Sequence, residues 1–326
     1  MKRILTGLQP SGELTLGSLI GGINQSIKYQ DEYDSFIFVP DLHSITVDQD
    51  PKLLKTRIRK NVALYIASGV DPNKNTIYVQ SDNLYHANLS WILECTTYIG
   101  EASRMTQFKE KSKNKENVSV GLFTYPILMA ADILYCDADL VPVGIDQKQH
   151  VELARNIAIR FNNKYGETFK IPEPMIPEIG AKIQDLQDPT KKMSKSSDNP
   201  KGIIYLLDED EVIRKKIMSA VTDSDGFIKY DKDNKPGISN LLTIYSAIKG
   251  VSIEEAENKF KDYQYGAFKG EIADTVIEYL KPIKERYNEI INSSELDRIL
   301  EEGKKKTEEI AKSIYEEVKR KVGLGA

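Results

Sequence analysis

The stretch Ile4-Leu5-Thr6-Gly7-Leu8-Gln9-Pro10-Ser11-Gly12-Glu13-Leu14-Thr15-Leu16-Gly17-Ser18 decides the architecture. A brief β-branched run stops at Gly7, and an apolar helical pattern begins after Leu14. Glycines at 7, 12 and 17 permit tight turns and close backbone approach to a ligand. A loop feeding a helix N-terminus offers unpaired N–H groups that suit a phosphate. A glycine-rich turn of purely structural purpose explains the same residues. Neither a Walker A sequence nor G-x-G-x-x-G occurs, so the common P-loop and dinucleotide readings lack support.

Outward from this segment, strands and helices alternate. Ser35-Phe36-Ile37-Phe38-Val39 reads as a second buried strand, stopped by Pro40, which lacks a donor. Thr76-Ile77-Tyr78-Val79-Gln80 is a third, and Asp139-Leu140-Val141-Pro142-Val143 a fourth, ending at Gly144. Asp50 before Pro51 is an N-cap followed by proline at the first helical position. Leu54, Ile58, Val62 and Ile66 then recur every four residues, and Gly69 closes that helix. Residues 147–161 repeat the helical spacing. This alternation predicts an α/β fold, a Rossmann-like doubly wound parallel sheet with ligands at the carboxyl ends of its strands. After Pro200 strands become scarce, and residues 209–221, 241–249, 253–260, 268–288 and 294–322 read as helices. A catalytic domain over 1–200 and a C-terminal helical domain over 201–326 are the expectation.

Composition narrows the class. Lys+Arg of 45 against Asp+Glu of 49 leaves a net charge of −4, which argues against wholesale phosphate neutralisation but permits a local basic patch. Cys95 and Cys136 lie far apart, so neither a disulfide framework nor a zinc knuckle is expected. The most apolar stretch, residues 122–134, is broken by Asp132 and falls short of the ~20 residues a membrane span needs. A soluble, cytoplasmic protein is the expectation.

Three further features carry chemistry. Lys191-Lys192-Met193-Ser194-Lys195-Ser196-Ser197 brings ammonium groups and hydroxyls together, which suits a polyphosphate. A solvated loop has the same composition. Asp132 lies within the apolar helix pattern Pro126-Ile127-Leu128-Met129-Ala130-Ala131-Asp132, where a carboxylate must be paired, hydrogen-bonded or open to a cavity. Gly144-Ile145-Asp146-Gln147 ends the fourth strand, where an acidic residue binds ribose hydroxyls or caps the next helix. His43 follows the second strand into the same crevice, His86 is expected at a surface helix start, and His150 on a helix face. No Ser or Cys stands in a nucleophile-elbow context.

Lys192-Met193-Ser194-Lys195-Ser196 is similar to the second signature of class I aminoacyl-tRNA synthetases, and Thr15-Leu16-Gly17-Ser18 stands where their first signature lies. Thr6-Gly7-Leu8-Gln9-Pro10-Ser11-Gly12, Tyr125-Pro126 with Asp132, and Gly144-Ile145-Asp146-Gln147 resemble the tryptophanyl/tyrosyl subclass. Gly100-Glu101, Arg104-Met105-Thr106-Gln107-Phe108-Lys109-Glu110-Lys111, Asp146-Gln147-Lys148-Gln149-His150 and Asp188-Pro189-Thr190-Lys191-Lys192 resemble its bacterial tryptophanyl branch, as does Lys235-Pro236-Gly237-Ile238-Ser239-Asn240-Leu241.

The resemblance implies two steps. Tryptophan and ATP with Mg2+ give tryptophanyl-adenylate and pyrophosphate, and the acyl group then passes to the 2′-hydroxyl of the terminal adenosine of tRNA(Trp). It also implies a homodimer. The alternatives are a tyrosyl-tRNA synthetase and a catalytically silent nucleotide- or RNA-binding paralogue. By the resemblance Lys192, Lys195 and Lys111 hold the phosphates, with Gln9, Thr15 and Ser18 in the catalytic set. ATP meets Gln9, Pro10, Ser11, Gly17, Ser18, Gly144, Ile145, Asp146 and Ile183, and then Lys192, Met193, Ser194, Lys195 and Ser196. Asp132 accepts the indole N–H, and Tyr125, Met129 and Gln147 surround the ammonium. Leu5, Gly7, His43, Ile133, Val141 and Val143 form the walls. Thr15 replaces the usual first-signature histidine, and Ser18 a His or Asn. Phenylalanine would leave Asp132 unpaired, and a site built on one polar contact rejects such an analogue by about 10⁴ to 10⁵.

Overall fold

β1 (Arg3–Gly7) pairs in parallel with β2 (Asp34–Val39), Leu5 opposite Phe36, and β2 pairs with β3 (Asn75–Val79), Ile37 opposite Ile77. On the other side β1 pairs with β4 (Leu140–Pro142), and β4 with β5 (Glu173–Met175). All four pairings are parallel and the order is β3-β2-β1-β4-β5. Connections leave β1 in opposite directions, so a crevice opens beyond the carboxyl ends of β1 and β4. The computed structural model describes residues 1–8, 10, 12–113, 116–176, 181–194 and 199–325.

The first four strands stand where their apolar runs predict. β5 was not anticipated: it is three residues long, carries Pro174, and survives because it lies at the sheet's edge.

After β1 a helical stretch over 16–29 (α1) begins at Thr15, whose hydroxyl accepts the Ser18 N–H, and its middle, Leu19–Ile23, is a π-helical turn. α2 (Pro51–Ala67) starts at Asp50, whose carboxylate accepts from the N–H groups of Lys52 and Leu53. α3 (Tyr85–Glu94), α4 (Val120–Leu134) and α5 (Lys148–Tyr165) complete the βα layers. Among the described residues after 176 only helices form regular elements: α6 (Asp210–Met218), α7 (Pro236–Lys249), α8 (Ile253–Phe260), α9 (Tyr265–Ile290) and α10 (Ser294–Val322). α7 begins five residues earlier than its apolar spacing indicates, because Pro236 fits the first turn, where no N–H is required.

Alternation along β2 builds two cores. Phe36 and Phe38 face Leu93, Ile133, Val151 and Phe161, while Ile37 and Val39 join Val62, Leu242, Phe268 and Leu280. The second core therefore runs from the sheet into the helical region. α10 returns to cover the outer edge of β3: Gly303 lies so close that a Cβ would overlap the Ile77 carbonyl, and Lys306 Nζ donates to Thr76 Oγ1 at 2.8 Å. This coverage protects an edge that would otherwise present unpaired backbone groups. No helix among the described residues is long and apolar enough to cross a membrane.

Candidate active site

The crevice between β1 and β4 holds a cavity of about 400 Å3. β1 contributes Leu5 and Gly7, the end of β2 leads to His43, and α4 presents Tyr125, Met129, Asp132 and Ile133. The strand end at β4 adds Val141, Val143, Gly144 and Gln147. All ten residues expected around the amino acid therefore line one space, with Lys111 on its wall. Phe38, Pro40, Thr46 and Pro142 complete it. Lys111 Nζ lies 5.0 Å from the centre of the Tyr125 ring.

Asp132 is 1% exposed, and its carboxylate is far from unpaired. Gln80 Nε2 donates to Oδ1 at 2.7 Å, His86 Nδ1 donates to the same oxygen at 2.7 Å, and His43 Nε2 donates to Oδ2 at 2.7 Å. An ionised carboxylate only accepts, so both rings must present N–H to it. Burial by itself raises the Asp132 pKa, but the donors and positive potential of His43 and His86 outweigh it and hold the group down at about 2. A carboxylate has about four acceptor positions; three are used, and the remaining capacity is on Oδ2, the oxygen shared with the cavity residue His43.

His86 overturns its expected surface position. It is fully buried, stacked near Phe38 and Tyr78 and 4.1 Å from the Tyr135 ring centre, and its Nε2 has no partner among the described residues. Its helix start lies under the sheet's end, because α3 packs on α4. His150 is also buried; its Nε2 lies 3.1 Å from the Tyr125 hydroxyl. Burial, Lys111 and His43 push the His150 pKa down to about 4, and burial pushes Tyr125 up to about 12.

Gly7 also borders a second cavity, of about 390 Å3, lined by Gly17, Ser18 and Lys192 among others. Here the two signature segments touch. A Cβ on Gly17 would lie 3.3 Å from the Met193 carbonyl oxygen and 3.7 Å from Ile183 Cβ, and Met193 N–H donates to the Ile183 carbonyl at 3.0 Å. Thr15 is fully buried and its hydroxyl caps α1, so it does not reach either cavity. At the β4 end, Gly144 leaves room for Asp146, whose Oδ2 accepts from Gln147 Nε2 at 3.0 Å. Asp146 is not an N-cap: it lies inside the 3-10 turn Ile145–Gln147, whose cap is Gly144, and the cap of α5 is Gln147. Asp146 and Ile145 are exposed at the crevice mouth. Pro10 and Ser194 are described but border neither cavity. Gln9, Ser11, Lys195 and Ser196 lie outside the described residues.

Residues 1–281 match the family model for class I tRNA synthetases (W and Y). The chain belongs to that family. It is 53% identical to the tryptophan–tRNA ligase of Bacillus subtilis over 322 residues, covering 99% of this chain and 98% of that one. It is 54% identical to the tryptophan–tRNA ligase of Caldanaerobacter subterraneus, covering 99% of each. The crystal structure of Campylobacter jejuni tryptophanyl-tRNA synthetase complexed with ADP and tryptophan superposes with a TM-score of 0.88 at 36% identity, covering 99% of this chain and all of that one.

In this synthetase chain the carboxylate's supporting donors are what sequence reasoning missed. Gln80 reads as a strand end and His86 as a helix start. The available signal was the polar Gln80 directly after the β-rich run 76–79, at the carboxyl end of a strand where ligands bind.

Proposed function

We propose that the chain is a tryptophan–tRNA ligase that forms tryptophanyl-adenylate and then charges tRNA(Trp). The observation that carries this reading is the single cavity walled by apolar side chains in which Asp132 is the one carboxylate among the described lining residues. Indole offers one donor and no acceptor, which matches the remaining acceptor position on Oδ2. The carboxylate of tryptophan attacks the α-phosphate, and Lys192 and Lys111, with Lys195, draw charge toward the departing pyrophosphate. Gly144 and Asp146 hold the adenosine. Mg2+ enters with ATP as part of that substrate. No enzyme nucleophile is required, so the rate comes from positioning and charge stabilisation.

The three protein donors on Asp132 change the selectivity argument. Phenylalanine leaves one acceptor position empty rather than a bare carboxylate, so the 10⁴ to 10⁵ of a wholly unpaired group is an upper bound. Ring shape against Met129, Val141 and Val143 supplies the rest. ATP–pyrophosphate exchange supported by tryptophan and not by tyrosine is the expected result, and exchange driven equally well by tyrosine would overturn the reading.

We assign residues 1–200 to catalysis and 201–326 to the anticodon side of tRNA, in a cytoplasmic homodimer. Leu84, the residue preceding α3, and Trp91 on that helix are 73% and 67% exposed, and Tyr98 and Ile99 follow at 64% and 78%. Large apolar side chains so exposed favour burial by a second copy. Sedimentation of the full chain at micromolar concentration is the check.

A further inference from the structure

α2 carries Lys52, Lys55, Arg57, Arg59 and Lys60 and no acidic residue from Pro51 to Ala67, in a chain of net charge −4. Lys55 lies four residues before Arg59, and Arg57 three before Lys60, so like charges sit beside each other and destabilise the helix. Lys52, in the first turn, also opposes the helix dipole. Among the described residues only Arg59 of the five is placed against a carboxylate, Asp297. By contrast, several cations of α10 are paired along their own helix: Arg298 with Glu302, Lys305 with Glu301, and Lys321 with Glu317. A helix arranged only for stability would intersperse such acids.

The same helix forms one wall of a cavity of about 390 Å3, separate from the two already described. Arg57, Lys60, Thr56 and Asn61 line it opposite Glu13 and Tyr205. Asn61 is 2% exposed, and its Nδ2 has no hydrogen-bond partner among the described residues. Two cations and an amide donor thus converge on a space whose only described carboxylate, Glu13, pairs with neither cation. Donors with no acceptor of their own call for an anion. The opposite wall is the segment Gly12–Leu14, which continues into Thr15, bridged to Tyr205, and on to Gly17 and Ser18.

We propose that this cavity and the adjoining face of α2 hold backbone phosphates of tRNA, with Arg57 and Lys60 meeting them inside and Lys52 at the outer edge. The proposal rests on the reading of the chain as a tRNA ligase and names a contact surface for that substrate. An acidic body that must bind a polyanion needs placed cations, and α2 supplies them next to the loop that leads into the nucleotide cavity. Arginine's planar fork and the lysine point charge are the groups that phosphate oxygens take up.

The test uses the full-length enzyme, tRNA(Trp) and the variant Arg57→Gln/Lys60→Gln. Its ATP–pyrophosphate exchange, which needs no tRNA, should equal that of the unaltered enzyme and so reports an intact fold. The slope of log affinity for tRNA against log salt should fall by about 1.6, close to 0.8 per lost phosphate contact. Lys52→Gln, a change on an exposed side chain, should remove about half as much by the same counting, and Glu13→Gln should tighten tRNA. An unchanged slope in both lysine and arginine variants overturns the proposal. So does a small-anion result, in which inorganic phosphate raises the melting temperature of the unaltered enzyme but not the double variant while the tRNA slope stays the same. Loss of tryptophan-dependent exchange in the unaltered enzyme would instead sink the ligase reading, leaving the two failures distinct.

Discussion

His86 Nδ1 lies 2.7 Å from Asp132 Oδ1, and the fully buried His86 sits behind the amino-acid cavity that Asp132 lines. The contact holds the carboxylate ionised and aims its other oxygen toward the cavity. Replacing the donor with His86→Leu or Gln80→Leu removes a hydrogen bond from the charged form, so the Asp132 pKa rises from about 2. A carboxylate with a raised pKa is protonated at higher pH, and tryptophan affinity then falls on the acid side. The expected result is a tryptophan KM whose climb on the acid side sets in at higher pH in the variants than in the unaltered enzyme. Superimposable KM profiles would show that neither residue acts through Asp132.

Asp132→Asn places an amide N–H2 or a neutral oxygen where three donors converge. At least one donor is then left facing no acceptor, at about 1–3 kcal/mol. Tryptophan kcat/KM should fall about 5- to 150-fold by that range, with the KM for ATP nearly unchanged. Unaltered selectivity between tryptophan and phenylalanine in exchange assays would rule out the role assigned to Asp132.

Gly17 faces the Met193 carbonyl across the gap between the two signature segments. In Gly17→Ala the new methyl sits 3.3 Å from that oxygen, tighter than ordinary contact, and the lysine segment must shift outward. Small displacements of phosphate-positioning groups are costly; a 1 Å error is worth as much as about 100-fold. The shift here is a few tenths of that, so kcat should drop by about tenfold or less, with KM for tryptophan steady because Gly17 is not in that cavity. Equal losses in both substrates would place the effect on folding.

Gly303 is required for a different reason. With no room for a Cβ against the Ile77 carbonyl, Gly303→Ala must lift α10 from the edge of β3 and strain the Lys306–Thr76 contact. Overpacking of this kind costs about 1–3 kcal/mol, often seen as a lower denaturant midpoint. Folded variant should keep its exchange activity, since no cavity residue moves. A midpoint equal to that of the unaltered chain would show that the helix accommodates the methyl freely.

The sheet and most helices were legible because their signals are local: β-branched runs, the Asp50-Pro51 start, the fourfold spacing from Leu54 to Ile66. The cavity walls were legible through the family motifs. The hydrogen bonds that define Asp132 were not, since Gln80, His86 and His43 come from three segments that only the parallel sheet order brings to one carboxylate. Thr15 misled for a related reason. Its hydroxyl has two local uses, contact with a ligand or capping of its own helix, and the backbone after β1 turns it to the second. The basic character of α2 was visible in the letters Lys-Leu-Leu-Lys-Thr-Arg-Ile-Arg-Lys, but the apolar spacing drew the reading instead.

His150 supplies a pH test that Asp132 does not disturb. Its folded pKa is depressed to about 4 from an ordinary value of 6.5. Between those values the unfolded chain binds more protons than the folded one, so stability falls as pH drops from about 7 toward 4. Asp132 has a depressed carboxyl pKa, so its stabilising share is present above its unfolded value near 4 and declines only as pH approaches 2. The two windows barely overlap. His150→Gln keeps an amide within reach of the Tyr125 hydroxyl and removes the titration. Urea unfolding at pH 7 and pH 5 should therefore show a smaller loss in the variant than in the unaltered enzyme, by about 1–2 kcal/mol for a site this displaced. Parallel losses in the two proteins would mean that the ring admits a proton at pH 5 without breaking its contact to Tyr125.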